Sequence, residues 1–195
     1  MAKKESTFTS MVLTLFLVTL AASGALGYVY ELTKDAIAEA EAAKKNLAIK
    51  RVLPEFNNKP NEEFFKVPTE TPGDTLYFYI GKMDNDTVGY AIESYSKNAF
   101  AGLLKVLAGF TPDGKIKSIA VLAHKETPGL GTKMTESPFK DQFPGKNPAE
   151  FKLQVSKDGG EVDAITASTI TSRAYCEAVQ RAYDALQKEK EGGKQ

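Results

Sequence analysis

Five of the seven residues from Thr166 to Ser172 carry a hydroxyl, and they run straight into a stretch of helical periodicity. A helix start leaves backbone N–H groups unpaired and presents the positive end of the macrodipole. Such a place seats a phosphate. Serine and threonine are also favoured N-caps, so composition alone leaves both readings open. A second segment, His124-Lys-Glu-Thr-Pro-Gly-Leu-Gly-Thr-Lys133, follows a strand pattern. Pro128-Gly129 fits the centre of a type II turn, and Gly131 permits a close backbone approach. Demanding loops of this kind form binding sites or plain structural turns. A threonine hydroxyl has no intrinsic nucleophilicity, and no base stands near it in the sequence. The single Cys and single His exclude a disulfide framework, a Cys-rich metal site and a multi-His centre. The 25 basic and 25 acidic residues cancel, which argues against a nucleic-acid partner. His124 reads as a surface or packed histidine, Cys176 as a small buried residue, and Tyr77-Phe78-Tyr79 as strand and core.

These segments need elements to hold them. From Ser6 to Tyr30 no residue is charged. That run exceeds the roughly 20 residues a membrane helix needs. Lys3 and Lys4 precede it and acidic residues follow, which puts Met1 in the cytoplasm and the remainder outside. A cleaved signal peptide is the competing reading, with a shorter apolar core than the one here. Residues 31–53 are rich in Ala, Glu and Lys and predict a stalk helix ended by Pro54. Residues 54–74, with four prolines, predict a loop or linker. Alternating patterns predict strands around 76–80, 88–92, 104–110 and 116–123. Thr111-Pro112-Asp113-Gly114 turns the last pair into a hairpin. Residues 134–150 predict a surface wrap with a short helix, and Leu153 and Val155 a short strand. Tyr175, Val179, Ala182, Tyr183 and Leu186 share one face of a helix from about Thr171 to Lys188, ahead of a polar tail. The class is α+β: one transmembrane anchor over residues 1–30, a stalk over 31–53, and an antiparallel sheet with packed helices over 54–195.

Taken together, the two chemical segments resemble a known family of flavin-binding subunits in bacterial ion-pumping electron-transfer complexes. These are the G subunit of the Rnf complex (Rsx in some bacteria) and the C subunit of the Na⁺-translocating NADH:quinone reductase. The family's Glu-Thr-Pro-Gly-Leu-Gly loop is present intact as Glu126 to Gly131. Its Asp-x-x-(Ser/Thr)-Gly-Ala-Thr motif is matched from Asp163 to Thr169, with Ala167 for the usual glycine and Ser168 for the usual alanine. The resemblance implies an FMN joined by a phosphoester to Thr169, with Ser168 as a neighbouring, competing hydroxyl. It implies that a separate flavin transferase installs the FMN, and that Glu126, Thr127, Gly129, Leu130 and Gly131 border the cofactor. It further implies a redox relay in the bacterial inner membrane. The exported domain would pass electrons between partner subunits that couple the flow to Na⁺ or H⁺ movement. The compact length leans toward the Rnf G subunit. A tethered binding or scaffold domain without cofactor is the rival from another class.

Overall fold

The computed structural model describes residues 7–69 and 74–192. Lys3, Lys4, Pro72 and the end of the polar tail lie outside the described residues. The chain divides into two compact units, Met1–Ala43 and Lys44–Gln195.

The first unit is helical. Helix α1 runs from Phe8 to Val52 without a break, so the apolar run and the Ala/Glu/Lys-rich segment form one element. Residues 8–30 rise about 35 Å at 1.5 Å each, enough for a hydrocarbon core of about 30 Å. The Thr14, Thr19 and Ser23 hydroxyls donate back to the carbonyls of Ser10, Leu15 and Thr19 at 2.7–2.9 Å. Hydroxyls satisfied within their own helix do not oppose burial in lipid. The helix is thus long and apolar enough to cross a membrane.

The second unit begins with the last turns of α1. Among the described residues it holds one antiparallel meander in the order β1 (Phe64–Pro68), β2 (Thr75–Met83), β3 (Asp86–Ala99), β4 (Gly102–Phe110) and β5 (Ile116–Ala123). Helix α2, Thr169–Gly192, follows a long irregular stretch. The strands sort their side chains by parity. Leu76, Phe78, Ile92, Leu104, Val106 and Phe110 meet the apolar stripe of α2. Tyr79, Ala91 and Leu107 point the other way and meet Ala48, Ile49, Val52 and Leu53 at the end of α1. The sheet is therefore buried on both faces. Lys45 fixes the α1 end through Glu93 at 2.9 Å and lies over the Tyr77 and Tyr79 rings.

Two local expectations change. Strand β1 lies in the proline-rich stretch read as a loop. It is an edge strand ending at Pro68, and an edge tolerates a residue without an N–H. The strand expected at Leu153 and Val155 reduces to one bridge, Val155 to Val162, beside a 3-10 turn at Ser156–Asp158. Between Ala123 and Thr169 the backbone has no α-helix or extended strand. Aromatic packing anchors it instead: Phe139, Phe143 and Tyr175 lie with ring centroids 5.0–5.4 Å apart.

Candidate functional site

The loop after β5 and the start of α2 come together, and Glu126 joins them. Its side chain is buried. Oε2 accepts from the Thr171 hydroxyl at 2.7 Å, and Oε1 accepts from the Ala101 backbone N–H at 3.1 Å. One carboxylate therefore ties three chain segments: the β3–β4 hairpin tip, the loop, and the first turn of α2. Gly131 closes the fourth side. A Cβ there would lie 2.4 Å from Oε2 and 2.6 Å from the Glu126 Cβ, so only glycine fits. The family resemblance implies that Glu126 borders a cofactor; here both of its oxygens are engaged by protein donors.

The rest of the loop turns outward. The Leu130 N–H donates to the Thr127 carbonyl at 3.2 Å, and Gly129 sits at φ +75°. That is the type II geometry read from Pro128-Gly129. The Gly129 N–H is held by the Thr132 hydroxyl at 2.9 Å. Thr127, Gly129 and Leu130 are exposed. His124 is also exposed, and its Nδ1 accepts from the Glu126 N–H at 3.2 Å.

Helix α2 starts at Thr169, two residues earlier than the periodicity suggests, so Thr169 is its first residue rather than its forerunner. The Ser172 N–H gives the first bond to the Ser168 carbonyl, at 3.0 Å. Helix geometry then leaves the N–H groups of Thr169, Ile170 and Thr171 without intrahelical acceptors. The hydroxyls divide clearly. Thr171 is bound to Glu126. Ser172 donates to the Ser168 carbonyl and accepts from the Ile165 N–H, both at 3.0 Å. Thr171 and Ser172 are fully buried, and Ser168 is buried at 7%. Thr169 is partly exposed, and its hydroxyl makes no hydrogen bond among the described residues. Ala167, preceding this pair, has φ +61°. That is the left-handed region in which glycine is at ease, and it gives a physical reason for the glycine of the motif this segment resembles.

One turn further along α2 a groove of about 830 Å³ opens. Arg173, Cys176 and Glu177 line it with Leu76, Leu153 and Val155, and no residue from 124 to 131 takes part. Arg173 binds Asp158 through two bonds of 2.7 and 2.8 Å, which hold the Asp158 carboxyl below its ordinary range. Cys176 lies at the groove floor, where burial pushes its thiol up to about 12. It is thus a protonated, inert thiol at neutral pH.

Residues 100–184 match the family model described as an FMN-binding domain. That span opens at the β3–β4 tip and includes both tied segments. The chain is 34% identical over 186 residues to the G subunit of the Na⁺-translocating ferredoxin:NAD⁺ oxidoreductase complex of Acetobacterium woodii, covering 90% of this chain and 89% of that one. It is 30% identical to the G subunit of the ion-translocating oxidoreductase complex of Erwinia tasmaniensis, over 82% and 80% of the two chains. The corresponding G subunit of Pseudomonas aeruginosa is 31% identical, over 87% and 84%.

Proposed function

The chain belongs to the family of G subunits of ion-translocating oxidoreductase complexes, and from that premise we propose that it is an electron-carrying subunit bearing FMN on Thr169. The supporting observation is the Glu126 tie. It sets the intact loop against the first turn of α2 while leaving the Thr169 hydroxyl free and partly exposed. The residues fit an FMN phosphate. Three backbone N–H groups and the helix dipole favour the remaining negative charge of a phosphodiester by about 0.3–1 kcal/mol. Ser168, the competing hydroxyl, is more deeply buried.

No base contacts Thr169 among the described residues, so the ester needs a separate flavin transferase. Thr169 would hold the phosphoryl group. Thr127, Gly129 and Leu130 would border the ring with an apolar side chain and an approachable backbone. Glu126 would act from behind as a positioning residue, and Gly131 allows it to do so. The flavin, when bound, supplies the electron transfer; the protein fixes its place and surroundings. The relatives' names describe translocating complexes. The chain's own apolar helix carries no acid or base from Phe8 to Tyr30. Partner subunits therefore carry the ion, Na⁺ or H⁺. The helix anchors the chain in the bacterial inner membrane with residues 31–195 on the outer side. The FMN-binding match favours this reading over a cofactor-free scaffold.

Co-expression with a flavin transferase tests it. The wild-type chain gives an ultraviolet-fluorescent band that survives boiling in detergent, and Thr169→Val abolishes the band in a folded protein. Fluorescence that persists in Thr169→Val and disappears in Ser168→Ala would move the acceptor by one residue.

A further inference from the structure

The compact unit has six exposed large apolar side chains among its described residues, and four of them gather at one end. Phe100 is 69% exposed, Leu130 42% and Ile170 47%. Each is the sequence neighbour of a group that touches the Glu126 carboxylate: Ala101, Gly131 and Thr171 respectively. Leu103, the fourth, lies two residues beyond Ala101 at the start of β4. A single buried acid thus gathers three segments so that each presents an apolar side chain to solvent. Thr169 is next to Ile170 in the same array. The unpaired charges bordering it are mainly basic. Lys105, Lys125 and Lys133 make no ion pair among the described residues, while Lys97 and Arg173 are neutralised by Asp74 and Asp158. In the same segments Glu136 is the exposed acid, Glu126 being buried.

We infer that this apolar, lysine-edged end is the docking surface for a partner subunit whose matching face has an apolar centre edged by Asp and Glu. Apolar burial would supply the affinity and the lysines the orientation. The choice of a protein occupant rests on this charge pattern together with the membership of the relatives in multi-subunit complexes. It goes beyond the flavin reading, because Phe100 and Leu103 are not among the residues assigned to the flavin. The bond and packing around Glu126 stay intact when the outward side chains change.

The test uses the tagged full-length chain expressed in its own host. The double variant Phe100→Ser/Leu103→Ser replaces two exposed side chains that have no part in the flavin site, so its melting temperature should match the wild type. In detergent, the other subunits of the oxidoreductase, identified by mass spectrometry, co-purify at least about tenfold less with this variant. Lys125→Glu/Lys133→Glu produces a similar loss that raised salt reproduces in the wild type. Undiminished co-purification in both variants overturns the proposal. A second arm separates a lipid occupant. An environment-sensitive dye on Phe100→Cys, with Cys176 too buried to label, is followed in nanodiscs without partners. A phosphatidylglycerol-dependent blue shift would give this surface to the bilayer and overturn the proposal; an unchanged spectrum supports it. Covalent flavin is scored on the same samples, so a failure of flavin attachment is recorded apart from a failure of docking.

Discussion

Glu126 and Thr171 form a bond whose energetic coupling is measurable. Glu126→Ala removes two hydrogen bonds to a buried carboxylate, one from the Ala101 N–H and one from the Thr171 hydroxyl. Bonds to a charged group contribute about 1.5–3 kcal/mol each. Part of that sum is offset because the variant no longer desolvates a carboxylate. The expected loss is about 3 kcal/mol, or about 6–12 °C in melting temperature for a chain of this size. Thr171→Val keeps the branched shape and removes the donor, at a cost of about 2 kcal/mol. If the 2.7 Å bond joins the loop to α2, the two losses overlap. The double variant then falls short of their sum by about 1–2 kcal/mol. Urea or thermal unfolding of the full chain in detergent, followed by circular dichroism, gives all four corners of the cycle. Losses that add to within about 0.5 kcal/mol would refute the tie.

Other outcomes follow from single sites. Ala167→Gly relieves a left-handed alanine at φ +61°. That conformation costs about 1–2 kcal/mol, of which the flexibility of glycine in the unfolded chain returns roughly half. The melting temperature rises by a degree or two, and a fall would contradict the backbone assignment. Cys176, pushed up to about 12 by burial, resists aromatic disulfide reagents at pH 8 until the chain is unfolded. Its raised value stabilises the fold below about pH 9, and the contribution is lost as pH climbs from there toward 12. Burial raises the Glu177 carboxyl, but bonds from Asn98, Ser96 and Arg181 outweigh burial and hold it below its ordinary value. Its contribution is full above about pH 4.3 and fades as pH falls further. Melting curves from pH 7 to 3 should therefore drop less steeply for Glu177→Gln than for the wild type.

Much of the fold is visible in residue patterns. The alternation at 76–80, 88–92, 104–110 and 116–123 marks four strands because one side of each packs on α2 and the other on α1 or solvent. Strand β1 escapes such reading because Phe64 to Pro68 is a short, proline-bounded edge strand, paired with β2 on one side and only partly buried. The irregular stretch from Ala123 to Thr169 has no period to read; its order comes from Phe139, Phe143 and Tyr175 packing across long sequence distances. The site divides in the same way. The type II turn follows from Pro128-Gly129, a local rule. The direction of the Glu126 carboxylate does not, since its partners Ala101 and Thr171 lie 25 and 45 residues away. Nor does the ranking of hydroxyls, which depends on which side of α2 is covered.

The central claim is one covalent bond, and mass spectrometry of the full chain purified from its own host tests it most directly. Trypsin releases the peptide from Asp158 to Arg173, which contains every hydroxyl from Thr166 to Ser172. This peptide is expected to carry the mass of FMN less one water, with fragment ions assigning it to Thr169. A peptide of unmodified mass, from a chain still assembled with its partner subunits, would contradict the claim.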